Sequence, residues 1–249
     1  MRILVVNDDG YTAYGIRKLA KELAKEHDVT VVAPIKCNSG MAHAMTFYKP
    51  YYLKAVETNG DENFKCYHIT GTPADCVKIG TELMHDNLPD LVISGINTEP
   101  NIGSSVIYSG TAHAAMEASV LGIKSFAVSS NCESEAEYDY VIDYIIRNLD
   151  YYFSLCSGEY ALNININNPK IGNKEHKITP LGIRMYSDFF LIGDEDENGT
   201  PYSLLGDPLL VDNAPDCDVV WFEKGYATIT PLMTDHTYYS KIDELKEKK

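Results

Sequence analysis

The chain has 249 residues, of which 45% are hydrophobic and 23% charged, so it is long enough and apolar enough to bury the core of one large globular domain. Its formal net charge of −15 disfavours a nucleic-acid polymer or a membrane as the partner, because there is no basic run outside the last four residues. The sequence has no apolar run of roughly 20 residues, no signal-peptide pattern and no C-x-x-C pair among its cysteines, so we expect a cytoplasmic protein with reduced thiols and a small-molecule substrate.

The first third of the chain alternates between strand-like and helix-like patterns. Residues 2–6 and 29–33 are short apolar runs typical of buried strands. Residues 14–26 between them carry the apolar stripe of an amphipathic helix. This strand–helix–strand order predicts a parallel sheet with right-handed crossovers.

The middle of the chain departs from this alternation and then returns to it. Three strand-like pieces around Asn59-Gly60, a pair typical of tight turns, predict a β-hairpin. Thr72 followed by Pro73 marks the start of a helix that we expect to end near residue 87. The other predicted elements are hairpin strands at 45–48, 51–56 and 65–69, strands at 91–94, 125–129 and 161–166, and helices at 109–122 and around 141–149.

From residue 167 onward the pattern changes to short strand-like pieces, one of them at Trp221, separated by turn residues. We expect these pieces to form extended arms on the α/β body rather than a second domain. The sequence therefore predicts an α/β fold in a single domain over residues 1–249, with a core at 1–166 and C-terminal segments at 167–249. The predicted architecture is a mostly parallel sheet with helices on both faces, a β-hairpin and extended C-terminal arm segments.

Two adjacent acidic residues, Asp8 and Asp9, follow the first predicted strand. They fall at the carboxyl edge of the sheet, where open α/β folds bind their ligands. Adjacent carboxylates repel each other unless a cation neutralises them, and such oxygen ligands suit Mg²⁺, Mn²⁺ or Ca²⁺. Because Asn7-Asp8-Asp9-Gly10 is also rich in turn formers, the pair by itself leaves a solvent-exposed turn as an equal alternative.

Further polar clusters fall at the same predicted edge. Ser39-Gly40 alone is typical of a turn, whereas Asn97 offers a neutral oxygen to a metal. Ser109-Gly110-Thr111 begins a helix and is therefore either an ordinary N-cap or a cradle of unpaired N–H groups for phosphate. Taken together, a carboxylate pair for a metal and a helix N-terminus for a phosphate describe a hydrolase of phosphate monoesters.

Several well-known site patterns fit this sequence poorly. A response-regulator receiver needs an aspartate at the end of the third strand, where this chain has Ile93-Ser94-Gly95. A haloacid-dehalogenase-type phosphatase needs an acid two residues after its nucleophilic aspartate, and Gly10 stands there if Asp8 is the nucleophile. The glycine-rich signatures of dinucleotide-binding and P-loop proteins are absent from the sequence.

The polar clusters lie within a set of motifs that resembles one known family, the SurE family of survival-protein 5′/3′-nucleotidases. The resemblance spans nearly the whole chain, and the motifs are specific in combination rather than singly. They are ILVVNDDG at 3–10, AP at 33–34, SG at 39–40, GTPADCV at 71–77, SGIN at 94–97, NIG at 101–103, YSGT at 108–111, AAME at 114–117, GY at 225–226 and ITPL at 229–232.

The resemblance implies a Rossmann-like body and a metal-dependent phosphatase that hydrolyses nucleoside 5′- and 3′-monophosphates by metal-activated water. It also implies one divalent cation per subunit, Mg²⁺ or Mn²⁺ with Ca²⁺ as a substitute in crystals, and a homodimer or homotetramer built by exchanged C-terminal segments. The implied metal ligands are Asp8, Asp9, Ser39 and Asn97, of which Asp8, Asp9 and Asn97 are also the implied catalytic residues. The implied phosphate and substrate contacts are Gly40, Asn101, Ser109, Gly110 and Thr111.

Some positions depart from the family pattern. Glu99 replaces a usual glycine and adds negative charge to the metal loop, Ser105 replaces a usual aspartate, and His113 replaces a small residue. Tyr239 stands where some members carry a histidine. These changes leave two alternatives to the enzyme: a non-catalytic metal- and nucleotide-binding protein, or an oligomeric scaffold with a vestigial site.

Overall fold

Nine strands form a single sheet in the computed structural model, which describes residues 1–57 and 62–248. The strands of the chain are β1 (Arg2–Val6), β2 (Asp28–Pro34), β3 (Leu53–Ala55), β4 (Lys65–Ile69), β5 (Leu91–Asn97), β6 (Ser125–Ser130), β7 (Ala161–Ile166), β8 (His176–Ile178), β9 (Met185–Ile192), β10 (Tyr202–Leu209) and β11 (Ala227–Leu232). The helices are α1 (Tyr14–Leu23), α2 (Pro73–Leu83), α3 (Gly110–Val120), α4 (Glu135–Arg147), α5 (Leu149–Leu155), α6 (Asp218–Glu223) and α7 (Tyr239–Lys246), with 3-10 turns at His85–Asn87 and Gly103–Tyr108.

The sheet has the strand order β3-β4-β2-β1-β5-β6-β7-β11-β8. The strands from β4 to β7 in this order are parallel, whereas β3 and β11 run antiparallel to their neighbours β4 and β7. The order reverses at β1, which lies between β2 and β5, so the loops after these three strands meet at one edge. The predicted mostly parallel sheet is confirmed.

Helices cover both faces of the sheet, as predicted. Alternate residues of β1 point to opposite faces: Ile3 and Val5 pack with α1, α4 and α5, whereas Leu4 and Val6 pack with α2 and α3. All four side chains are fully buried. Burying one aliphatic side chain of this size stabilises the fold by about 1.5–3 kcal/mol, so β1 is anchored firmly just before the Asp8–Asp9 pair.

Local sequence signals fix the start of α2 but not every predicted strand. The Thr72 hydroxyl accepts a hydrogen bond from the Asp75 N–H at 3.2 Å, and the Asp75 carboxylate accepts one from the Thr72 N–H at 2.9 Å, which is a capping box. The predicted strand at 45–48 is wrong, because this segment is a loop whose Thr46 N–H bonds the Asp75 side chain rather than a neighbouring strand. The predicted Asn59-Gly60 turn lies outside the described residues.

Trp221 lies in α6 and not in a strand, so that expectation was also wrong. An apolar run as short as this one fits a helix and a strand equally well, and periodicity cannot decide between them. Contacts from distant parts of the chain decide: Asp218 at the start of α6 accepts the N–H groups of Gly103 and Gly182, and the Lys177 ammonium lies 5.1 Å from the centre of the Trp221 ring.

The C-terminal third divides into segments that join the sheet and a hairpin that leaves it. Strands β11 and β8 extend the sheet beyond β7, whereas β9 and β10 pair with each other in a separate two-stranded sheet in which every residue is exposed. Across residues 1–57 and 62–248, we find no helix that combines the length and apolarity required to cross a membrane.

Candidate active site

A cleft of about 310 Å³ opens at the carboxyl edge of the sheet. The loops after β1, β2 and β5 and the start of α3 contribute to it, as expected for parallel strands that end at one edge. Of the residues predicted for the site, six line this cleft: Asp8, Ser39, Gly40, Asn97, Asn101 and Ser109. Asp9, Gly110 and Thr111 lie beside it without lining it.

The Asp8 carboxylate is held by the first turn of α3. The Thr111 N–H donates to Oδ2 at 3.1 Å, and the Thr111 hydroxyl donates to Oδ1. A Cβ atom at Gly110 would lie 3.0 Å from the same Oδ2, so glycine permits the helix to approach this closely. Thr111 itself is fully buried. Its two donors therefore position Asp8 rather than face the cleft.

The turn that carries the acidic pair is closed by Asn7. Its side-chain amide donates to the Gly10 carbonyl at 3.0 Å and accepts from the Gly10 N–H at 3.2 Å. Gly10 has φ of +104°, a conformation that favours glycine. The turn-forming residues and the acidic residues of this stretch therefore serve different ends: Asn7 and Gly10 shape the loop, and Asp8 and Asp9 supply the charge.

Burial makes the acidic pair unusual electrostatically. It raises the pKa of Asp8 above its ordinary value, and the Thr111 hydrogen bonds oppose this only in part. Burial, together with the Asp8 charge, raises the pKa of Asp9 to about 7. Two carboxylates in this setting resist simultaneous ionisation, and a cation would relieve both effects.

The donor set around the pair fits a hard divalent cation. The Asn97 amide nitrogen donates to the Glu99 carbonyl at 2.6 Å, which leaves the amide oxygen of Asn97 as the atom suited to a metal. The Ser39 hydroxyl lies 3.0 Å from the Cys37 sulfur. Within residues 1–57 and 62–248, no three His, Cys, Asp or Glu side chains are grouped to hold a metal. An ion here would therefore rely on neutral Ser and Asn oxygens beside two carboxylates.

Asn101 is positioned by a buried polar network that the sequence reasoning missed. Its backbone carbonyl accepts hydrogen bonds from the side-chain amides of Asn163 at 2.7 Å and Asn165 at 3.1 Å, both on β7. The Asn101 amide in turn donates to the Ser129 hydroxyl at 2.8 Å. The available signal was the alternation of Asn163 and Asn165 with apolar residues in a fully buried strand, because buried amides need partners.

The start of α3 has the N-cap that was predicted for Ser109. The Ser109 hydroxyl accepts a hydrogen bond from the Ala112 N–H at 3.0 Å, which confirms the N-cap. Ser109 also lines the cleft, so the N-terminal end of the helix and its partial positive charge face the space beside Asp8. Across the cleft Gly40 has φ of +75° and open space around it.

The residues that depart from the family pattern differ in whether they line the cleft. Glu99 and Ser105 line it. His113 is buried outside it, where its Nδ1 lies 2.8 Å from the Ser109 carbonyl, and burial lowers its pKa. Two residues that were not predicted, Arg184 and Tyr186, line the cleft from the C-terminal third of the chain.

The fold and this cleft define an α/β protein with a paired-carboxylate site at the carboxyl edge of a parallel sheet. Residues 3–188 match the family described as Survival protein SurE, and the chain belongs to this family, which confirms the resemblance. It is 40% identical over 250 residues to the 5′-nucleotidase SurE of Pseudothermotoga lettingae, covering 99% of this chain and 94% of that protein.

Two further comparisons agree over the full length. The 5′-nucleotidase SurE of Thermosipho melanesiensis is 37% identical over 254 residues, which cover 100% of this chain and 99% of that protein. The crystal structure of the SurE protein from Aquifex aeolicus is similar with a TM-score of 0.81 and 32% identity, covering 99% of both chains. The likeness therefore includes the C-terminal third as well as the parallel sheet.

Proposed function

We propose that this chain is a phosphatase that hydrolyses nucleoside 5′- and 3′-monophosphates to nucleoside and phosphate, with one divalent cation per subunit. The observation that carries the proposal is the pair of the buried Asp8 and the partly buried Asp9, whose raised pKa values favour a bound cation, beside a cleft that also receives the N-terminus of α3. The relatives named 5′-nucleotidase support nucleotides as the substrate class.

In this proposal the metal is held by Asp8, Asp9, Ser39 and Asn97, and Mg²⁺ or Mn²⁺ suits these hard oxygen ligands. When bound, such an ion polarises a phosphoryl oxygen and supplies a water acidic enough to attack phosphorus near neutral pH. The chain's own contribution is to fix the ligands. Thr111 holds the Asp8 carboxylate in one orientation, and outer contacts of this kind commonly tune metal affinity.

The phosphate group is oriented by the groups that face Asp8 across the cleft. Ser109 presents the N-terminal end of α3, and Gly40 offers a backbone that a ligand can approach closely. Asn101 lines the same space and is fixed by the β7 asparagines, so it loses little freedom when it binds substrate.

The test is phosphate release from a panel of nucleoside 5′- and 3′-monophosphates with Mg²⁺ or Mn²⁺. We expect release from AMP or GMP, and we expect EDTA to abolish it. A protein that binds AMP by calorimetry but releases no phosphate across the panel would be the non-catalytic alternative. Release from the 5′-nucleotides alone would restrict the proposal to that half of the substrates.

We also propose that residues 1–249 form one domain that assembles into a homodimer or homotetramer through its C-terminal segments. The hairpin of β9 and β10 supports this, because Phe189, Phe190, Leu191 and Ile192 are all exposed on it. An apolar surface of this kind is typical of an interface. Sedimentation velocity over a concentration series measures the assembly, and a monomer at all concentrations would contradict it.

A further inference from the structure

Arg184 brings a positive charge to a cleft that is otherwise acidic. Among the described residues that line the cleft, it is the one with a cationic side chain, and Asp8 and Glu99 are the acidic ones. It lies directly before β9, more than 80 positions after most of the other lining residues. Its side chain is half-buried rather than extended into solvent.

The backbone of Arg184 is fastened to the loop that carries Asn101. The Ser104 hydroxyl donates to the Arg184 carbonyl at 2.5 Å and accepts from the Arg184 N–H at 2.9 Å. A single hydroxyl thus satisfies both backbone groups of one residue. This pairing sets where the Arg184 side chain begins relative to the cleft.

A buried carboxylate locks the same two segments together. Asp218 is fully buried and accepts the Gly103 N–H at 2.8 Å and the Gly182 N–H at 2.7 Å. A Cβ atom at Gly103, whose φ is +56°, would lie 3.1 Å from the Gly182 carbonyl and 3.2 Å from the Arg184 nitrogen. The segments therefore touch backbone to backbone, and Arg184 has little room to move away from the cleft.

The guanidinium group of Arg184 keeps N–H donors for a ligand. Its Nη1 donates to the Pro100 carbonyl across a long 3.4 Å, and its carbon lies 5.5 Å from the centre of the Tyr186 ring. Arginine carries five N–H donors in a planar fork, and one weak bond leaves most of them for a ligand. Such a fork matches two oxygens of a phosphate.

Charge balance shows why the site needs this group. A phosphate monoester carries about −1.5 to −2 charges near pH 7. The two charges of a divalent ion are already matched by the Asp8 and Asp9 carboxylates, and Glu99 adds a further negative charge. We propose that Arg184 binds the phosphoryl oxygens of the substrate and so offsets this charge. This inference rests on the proposed function and adds a substrate-binding residue to it.

The test compares Arg184→Gln and Arg184→Lys with wild type and with Arg147→Gln, a control on the exposed surface of α4. With AMP and Mg²⁺, we expect Arg184→Gln to lower kcat/KM by about 10- to 100-fold, because it loses charged hydrogen bonds. Arg184→Lys keeps the charge but loses the planar fork, so kcat/KM should fall by about 3- to 10-fold, with a raised KM. The control should match wild type.

A second readout does not depend on turnover. In Mg²⁺, inorganic phosphate should raise the Tm of wild type and of Arg147→Gln, because a ligand of the folded state stabilises it. In Arg184→Gln this rise should be lost while the Tm without phosphate stays near that of wild type. An arginine that is merely structural would lower the Tm without phosphate and leave the rise in place.

The outcomes separate this inference from the proposed function. If wild type hydrolyses AMP and Arg184→Gln keeps both its kcat/KM and its phosphate response, Arg184 is not a phosphate ligand and the enzyme stands. If wild type hydrolyses no nucleotide, the proposed function fails, and the phosphate response of the variants still decides the inference. If Arg184→Gln does not fold, Arg184→Lys decides in its place: a wild-type KM and phosphate response there overturn the inference.

Discussion

Two groups of strands in this chain differ in how far their residues are exposed to solvent. Nearly every residue of β1, β5, β6 and β7 is buried, whereas every residue of β9 and β10 is exposed. At the end of the buried strands, burial raises the pKa of the Asp8 and Asp9 carboxyl groups. On the hairpin, apolar side chains such as Phe190 and Leu191 are largely exposed to solvent. The buried strands thus end at the cleft, to which β9 adds Tyr186, whereas the exposed apolar side chains of the hairpin are suited to an interface.

The largest effect is expected from Asp9→Asn, which removes one of the two carboxylates at the buried edge. We expect a loss of at least about 10² in the rate of phosphate release, the scale typical when metal-assisted charge stabilisation is impaired. Asp86→Asn, on an exposed turn after α2, is the matched control. A normal rate in Asp9→Asn would show that Asp9 is not a metal ligand required for catalysis. Other residues would then be responsible for any activity.

The hairpin is tested by Phe190→Ser, which removes an exposed aromatic side chain of β9. If this surface is an interface, truncating an aromatic anchor should weaken self-association by about 30-fold. The Tm at low protein concentration should change little, because the Phe190 side chain is 59% exposed and its ring meets that of Tyr202 on the same hairpin at a centroid distance of 6.3 Å. Asn198→Ser at the hairpin turn is the control. Sedimentation velocity measures both variants, and unchanged association of Phe190→Ser argues for a different interface.

Thr111→Val tests whether the start of α3 positions the Asp8 carboxylate. The change keeps the shape of the side chain but removes the hydroxyl that donates to Asp8. We expect Mn²⁺ affinity to fall by about 10-fold, and the free energy of unfolding to fall by about 1–3 kcal/mol. Thr81→Val, which removes a hydroxyl bonded to the Val77 carbonyl in α2, is the control. Calorimetry and urea unfolding measure the two effects, and equal affinity in both variants contradicts the positioning role.

The smallest effect concerns the buried Glu117 on α3. Burial raises its pKa, but hydrogen bonds from His43 at 2.7 Å and contact with Lys78 at 2.5 Å outweigh it, so the pKa lies below the ordinary 4.5. A lowered pKa stabilises the folded state above pH 4.5, and this contribution is lost as pH falls through the folded-state value. The stability difference between wild type and Glu117→Gln should therefore be constant above about pH 4.5 and shrink below it.

Urea unfolding across this pH range measures that difference, with Glu195→Gln in the exposed loop between β9 and β10 as the control. A difference that grows as the solution becomes more acidic would mean that Glu117 is not held in its charged form. Because Glu117 lies on the helix that begins with Ser109, this measurement also reports how firmly the buried side of the site is fixed.

The sequence predicted the parallel sheet and its edge because these depend on local patterns. The apolar runs of β1 and β2 and the stripe of α1 repeat with the period of their elements, and the Thr72 capping box lies within four residues. The same reasoning failed for 45–48 and for Trp221, where short segments are shaped by distant contacts. The role of Glu99 stays a prediction, although the side chain lines the cleft.

The acidic pair, the start of α3 at Ser109 and the sheet edge at which they meet could be predicted, since each follows from neighbours along the chain. Which distant residues complete that edge depends instead on how the chain packs in three dimensions. Arg184 reaches the cleft through Ser104, 80 positions away, and Gly103 is held by Asp218, 115 positions away. Periodicity carries no information over such separations, because these contacts are fixed by the packing of whole elements.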